Sequence, residues 1–144
     1  MSKTVSFVLH GHMPWSLHHG KWPHGETWIY EAAVGVYLPL LEILHRLEEE
    51  EIEGQFSLGL TPVLLLQLSH SDFKQGLIGY IEERLKELEY YSKNHRRLVE
   101  FWRERFSRLL QLFESIDRDI PSAFFSYVNE DGTGRIELIA SSAT

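Results

Sequence analysis

In "TVSFVLHGHMPW", residues 4 to 15, an apolar run ends in His10 and His12, with one glycine between them and Pro14 and Trp15 behind. Successive strand residues point to opposite faces, so two histidines spaced two apart share one face. Gly11 lets backbone or ligand come close between them. Two chemistries fit such a pair. Neutral imidazole is a common zinc ligand, and several barrel hydrolases open with H-x-H. The same ring nitrogens can hydrogen-bond a polar substrate such as a sugar hydroxyl.

The segment that follows weighs on that choice. Residues 13 to 27, "MPWSLHHGKWPHGET", form a loop dense in Pro, Gly, His and Trp. A loop this long inside a domain is usually functional or disordered. His18, His19 and His24 lie in it at irregular spacing, which argues little for a ligand set. Trp15, Trp22 and Trp28 fall within fourteen residues, beside Gly, Pro and His rather than inside a periodic element. Flat aromatic faces next to hydrogen-bonding groups suit sugar rings, which are apolar above and below and polar round the edge. Trp28 also fits the buried first turn of a helix, and Trp102 reads as helix core. Glu26 and Glu31 are accounted for by helix capping and surface charge, without a catalytic role.

The elements that must hold these residues follow from hydrophobic pattern. Val5, Phe7 and Val8 predict a strand over Thr4 to Leu9, covered on both faces. From about Thr27 to Glu51, apolar residues at Trp28, Ala32, Val36, Leu40, Leu44 and Leu47 predict a helix capped by Thr27, with a kink or two abutting helices at Pro39. Residues Gln55 to Pro62 predict a second strand, and "VLLLQL" a helix with Pro62 at its first position. Two longer helices are marked by Phe73, Leu77, Ile81, Leu85 and Leu88 and by Leu98, Trp102, Phe106, Leu109, Phe113 and Ile116; Gly76 and Gly79 weaken the first. "NEDGTG" is a turn into a third strand, "RIELIASSA". The acidic run at 48 to 51 solvates a helix end. Alternating strands and helices imply a parallel sheet with helical crossovers, with the chain stopping directly after a third strand that nothing covers. In a parallel barrel the C-terminal ends of the strands hold the active site, which is where His10 and His12 fall. Residues 1 to 144 thus read as the first part of a larger α/β barrel.

Composition narrows the classes. The 144 residues are 43% hydrophobic, 24% charged and 12% aromatic, a globular balance. A formal charge of −7 argues against nucleic acid as partner, since that binding rests on clustered Lys and Arg. There is no cysteine, which removes disulfides and thiolate metal sites. No secretory leader is recognisable at the N-terminus, and no apolar run approaches the roughly 18 residues a spanning helix needs. These observations predict a soluble, cytoplasmic protein without a membrane partner.

The segments "FVLHGHMPW", "HGKWPHGETWIYEA", "YLPLLEIL" and "LTPVLLLQL", in that order and spacing, resemble the N-terminal part of the family 57 glycoside hydrolases, most closely their 1,4-α-glucan branching enzymes. "RIELIASSAT" is similar to the strand that leads into an "ATHGYLPLL"-type motif in those proteins, and the chain ends at its Ala-Thr. The resemblance spans nearly the whole chain. It is specific over the first motif, loop and helix, and general in character over residues 73 to 125. It implies an incomplete (β/α)7 TIM-like barrel and a retaining mechanism, in which two carboxyl groups stand about 5–5.5 Å apart and one forms a glycosyl-enzyme. In branching, a 6-hydroxyl of another glucan releases that intermediate. The family's nucleophilic Glu and acidic Asp lie on later strands, so no catalytic residue is expected here and the chain alone is expected to be inactive. By the resemblance His10 and His12 belong to the substrate site, with Trp22 and Trp28 as sugar contacts and Trp15 beside them. The implied partner is an α-glucan, with no cofactor and no metal. Two alternatives stand beside this reading: a metal-dependent hydrolase or deacetylase using the H-x-H pair, and a non-catalytic glucan-binding domain.

Overall fold

A parallel sheet forms the frame of the computed structural model, which describes residues 5–23, 25–91, 95–131 and 133–142. Its strands, β1 (Val8–Gly11), β2 (Phe56–Leu60) and β3 (Ile136–Ile139), pair in the order β1-β2-β3. Thr4 lies outside the described residues, and β1 starts and ends later than the predicted Thr4 to Leu9. Its residues Val8, Leu9, His10 and Gly11 pair with Ser57, Leu58, Gly59 and Leu60. Pairing partners therefore carry the strand through His10 and Gly11, where intrinsic propensity falls away.

Register sorts the side chains into two faces. Phe56, Leu58, Leu60 and Ile136 join the hydrophobic core under the helices. Val8, His10, Ser57, Gly59, Glu137 and Ile139 belong to the opposite face, by strand alternation and by the pairs Ser57↔Glu137 and Gly59↔Ile139. That face is largely open: Val8 is 66% exposed, and Ile139 is exposed as well. The prediction that β1 is covered on both faces is corrected accordingly, because the described helices pack only on the other side of the sheet.

The first crossover is one helical rod: α1 (Glu26–Ala32), a π-helical turn (Ala33–Tyr37) and α2 (Leu38–Glu49). Pro39 lacks the N–H that would reach Gly35 and would clash with the preceding turn. The π-turn absorbs this, with the Leu38 N–H bonding to Ala33 O five residues back. A widened turn thus replaces the predicted kink. The N-cap is Gly25, which makes no side-chain cap bond, while Thr27 lies inside the first turn and does not cap as expected. The rod spans 24 residues with a mean hydropathy of 1.3, long and apolar enough by length and composition to cross a membrane. That corrects the expectation that no such run exists: the π-turn joins two segments that Pro39 divides in the sequence. Ile29, Ala33, Leu38, Leu41 and Leu44 of the rod are fully buried in the core.

After β2, the Thr61 hydroxyl accepts the Leu64 N–H and Pro62 occupies the first turn of α3 (Pro62–Ser69), as predicted. Helices α4 (Ser71–Tyr91) and α5 (Arg96–Ser115) follow. Phe73 meets Phe113 edge to face at 6.4 Å between them. Trp102, predicted as core, is 37% exposed. On the same helix Val99, Leu109 and Phe113 are buried, Phe113 against Phe73. Trp102, a few turns earlier, rests on Phe106 with the Arg105 guanidinium 6.0 Å from its ring. A short helix absent from the sequence reading, α6 (Ile120–Phe125), is capped by Asp119, whose carboxylate accepts the Ser122 N–H. The "NEDGTG" turn then feeds β3. Arg135 ties that entry to the end of α2 and the turn after it, donating to Leu47 O at 3.0 Å, which also accepts the Ile52 N–H, and to Ile52 O at 2.5 Å.

Candidate functional site

At the C-terminal end of β1 the imidazoles of His10 and His12 lie parallel, 6.4 Å between centroids with 7° between planes. Both side chains are exposed on the open face of the sheet. The spacing of two has done what strand geometry requires, since both rings leave the chain on one side and lie parallel. Gly11 fits a different neighbour from a ligand. A Cβ there would come 2.7 Å from Leu60 and 3.1 Å from Leu64, so its bare Cα lets core leucines pack against β1.

The loop of residues 12 to 25 is held from below. Gln67 is fully buried on α3; its Oε1 accepts the Ser16 N–H at 2.7 Å and the Ser16 hydroxyl at 3.1 Å, and its amide donates to Pro14 O at 3.1 Å. Met13 and Leu17 sink into the core on either side of that tether. His18 has a left-handed φ of 67°, a conformation His adopts more readily than most residues. Its N–H donates to Glu26 Oε1 at 3.0 Å, and its ring Nε2 stands 2.6 Å from Asp72 Oδ2. That hydrogen bond, with a further one from the Ser71 hydroxyl, holds the Asp72 carboxyl below its ordinary range. Glu26 is thus a structural carboxylate, as its sequence context implied. Gly25 permits the return of the loop: a Cβ there would lie 1.8 Å from Gly20 O.

The tryptophans divide. Trp22, 81% exposed, and Trp28 share a cavity of about 250 Å³ with Pro23, Thr27 and Glu31. Trp28 projects partly into solvent from the first turn of α1 instead of being buried there. Trp15 turns elsewhere, edge-on to His70 at 6.2 Å, and His70 is in turn 5.6 Å from the His18 ring. The structure therefore pairs His10 with His12 and Trp22 with Trp28, and sets Trp15 in a cluster with His18, His70 and Asp72. His24 lies outside the described residues. Among the described residues no three His, Asp or Glu side chains converge in a way that could hold a metal ion.

A larger cavity, about 1230 Å³, opens at the opposite end of the sheet between Phe7, Gln55, Asn129, Arg135 and Glu137, and none of the predicted site residues lines it. Glu137 is a carboxylate that the sequence reading passed over. It sits one row below His10 on the open face, accepting the Ser57 hydroxyl at 2.6 Å. Alternation in "RIELI" marks it as opposite in face to Ile136 and Leu138, and that was the signal available. The open face can thus offer imidazole nitrogens and a carboxylate to a polar ligand, with a paired-tryptophan surface on the neighbouring loop.

The family model of glycosyl hydrolase family 57 matches residues 6–144. A 1,4-alpha-glucan branching enzyme of Thermococcus kodakarensis is 32% identical over 147 aligned residues, which take in 100% of this chain and 21% of that protein. Its crystal structure, in complex with glucose and additives, superposes with a TM-score of 0.88 at 32% identity, covering 96% of this chain and 25% of that one. The GH57-type branching enzyme of Pyrococcus horikoshii superposes with a TM-score of 0.86 at 33% identity over 93% of this chain and 26% of that chain. A probable 1,4-alpha-glucan branching enzyme of Mycobacterium tuberculosis is 48% identical over 63 residues, 44% of this chain and 12% of that protein. The chain spans about a quarter or less of the length of each of these relatives.

Proposed function

The chain belongs to glycosyl hydrolase family 57, and from that premise we propose that it supplies the substrate-gripping part of a retaining α-glucan-active enzyme, a 1,4-α-glucan branching enzyme. Its parallel strands and helical crossovers are the opening of an incomplete (β/α)7 barrel in this reading, with the open sheet face turned to the barrel interior. The observation that carries the proposal is the pair of parallel imidazoles at the end of β1, next to a loop that brings Trp22 and Trp28 to one cavity.

The chemistry follows from those groups. Imidazole N–H groups of His10 and His12 donate to hydroxyls of a glucose unit, fixing its rotation in the site. The indole faces of Trp22 and Trp28 lie against the apolar faces of neighbouring units, and the Trp15 cluster extends the aromatic surface. Bond breaking needs two carboxyl groups at a separation of about 5–5.5 Å, which later strands of the barrel contribute. Residues 1 to 144 alone are accordingly expected to be inactive.

The test uses the full-length protein with His10→Ala, His12→Ala, Trp22→Ala and Trp28→Ala. New α-1,6 linkages in a linear α-1,4 glucan should form roughly tenfold more slowly or worse in each, as the loss of about 1.4 kcal/mol of binding in the transition state would give. Unchanged branching in all four variants would overturn the site. Release of reducing ends without new branches in the parent protein would replace branching by hydrolysis. Stoichiometric zinc lost with His10→Ala, together with chelator sensitivity, would replace sugar binding by metal chemistry.

A further inference from the structure

We infer that Gly59 is a positioning residue for His10, resting on the reading of His10 as a sugar contact. The two residues are register partners on β1 and β2, and Gly59 is also paired with Ile139 on β3, so the His10 ring lies across the middle strand of the sheet. A Cβ built on Gly59 would stand 3.1 Å from His10 Nδ1, closer than such carbons normally approach. Its next neighbours, the Cβ and O of Ile139, are both at 3.8 Å, an ordinary contact. The φ of Gly59 is not left-handed, so the backbone makes no demand for glycine at this position.

Those facts separate the explanations for a glycine in the centre of a strand. Glycine there weakens a strand and leaves no side chain to pack, and it is kept where another group must come close. The group that comes close is the imidazole. The empty side-chain position of Gly59 is the floor on which the His10 ring lies, and the ring's height above the sheet sets where its Nδ1 and Nε2 meet a ligand. His12, parallel to His10 at 6.4 Å, stands just past the end of β1 and is not among the nearest neighbours of that floor.

A methyl group at residue 59 should lift the His10 ring by a few tenths of an ångström without cost to folding. Reactive geometry in enzymes is sensitive at this scale, where a misplacement of about 1 Å can cost on the order of 100-fold. In the full-length protein Gly59→Ala should therefore lower kcat/KM for α-glucan by about tenfold, and the bulkier Gly59→Val by more, while the Gly59→Ala melting temperature stays at or above the parent's. Ring-proton NMR signals of His10, assigned by their loss in His10→Ala, should shift in Gly59→Ala while those of His12 hold. Combined with His10→Ala, Gly59→Ala should have no further effect on kcat/KM, because the ring through which it acts is gone. An additive loss in that double variant, or unshifted His10 signals, would overturn the inference. Full activity in His10→Ala would instead sink the sugar-contact reading, with the NMR shift still deciding the role of Gly59.

Discussion

Gln67 and Ser16, fifty-one residues apart, are joined by two hydrogen bonds in the core: Gln67 Oε1 accepts both the N–H and the hydroxyl of Ser16. The first strand's loop is thereby fixed to the helix that follows the second strand. Gln67→Leu keeps an apolar volume but orphans the buried Ser16 groups, at about 1–3 kcal/mol for each donor left unpaired. Urea unfolding should show that loss, and amide exchange of residues 13 to 18 should quicken by more than that of α4.

The second tether is electrostatic and exposed. His18 is the largest influence on Asp72 and lowers its pKa below 3.8, its value outside the fold. A carboxylate whose folded value is depressed contributes above its unfolded value and loses that contribution as pH falls through the folded one. The grip on the loop should therefore be constant in Asp72 ionisation at neutral pH and should fade below about pH 4. His70 faces the same carboxylate at 3.8 Å. Asp72→Asn should remove the acid-dependent part: proteolytic nicking within residues 17 to 23 should rise on acidification in the parent and stay flat in the variant.

Much of this frame was legible in the residues. A spacing of two put His10 and His12 on one face, and Thr61-Pro62 announced the start of α3. What escaped the sequence depended on partners distant in the chain. The end of β1 at Gly11 is set by pairing with Leu60, and nothing local in "LHGH" reveals it. Gln67 in "VLLLQL" looks like a polar break in an apolar helix until Ser16 and Pro14 are brought to it. Periodicity gives the α5 stripe but not the depth of each position on it: Val99, Leu109 and Phe113 are buried, whereas Trp102 between them is 37% exposed. The tryptophan loop stands out by composition, while its division into a Trp22–Trp28 pair and a Trp15 cluster needed the tethers of Ser16 and His18.

The two glycines in the first half of α4 looked alike in sequence and differ in space. Around Gly79 an added Cβ meets nothing within 4 Å, whereas at Gly76 it would fall 1.9 Å from the Tyr30 hydroxyl oxygen. Gly79→Ala should stabilise the protein by about 0.5–1 kcal/mol, through a better helix former and a less flexible unfolded chain. Gly76→Ala should destabilise it by about 1–3 kcal/mol, the usual cost of overpacking. Thermal melts of the two variants should move in opposite directions.

Tyr30 also sets the response to alkali. Burial first, and then the nearby Glu26 carboxylate, push its pKa from 10.0 to about 12; burial and Glu48 do the same to Tyr127. A neutral phenol retained in the fold while its unfolded counterpart ionises makes unfolding easier as pH climbs. The stability these two residues give is complete below pH 10 and declines as pH rises from there to about 12. The tyrosinate absorbance that Tyr30 and Tyr127 contribute should accordingly appear late in an alkaline titration, together with loss of helical circular dichroism. Tyr30→Phe removes one of the two resisting phenols, so the alkaline decline in its unfolding free energy should be shallower than the parent's. An equally steep decline would mean that Tyr30 is already solvated in the native state.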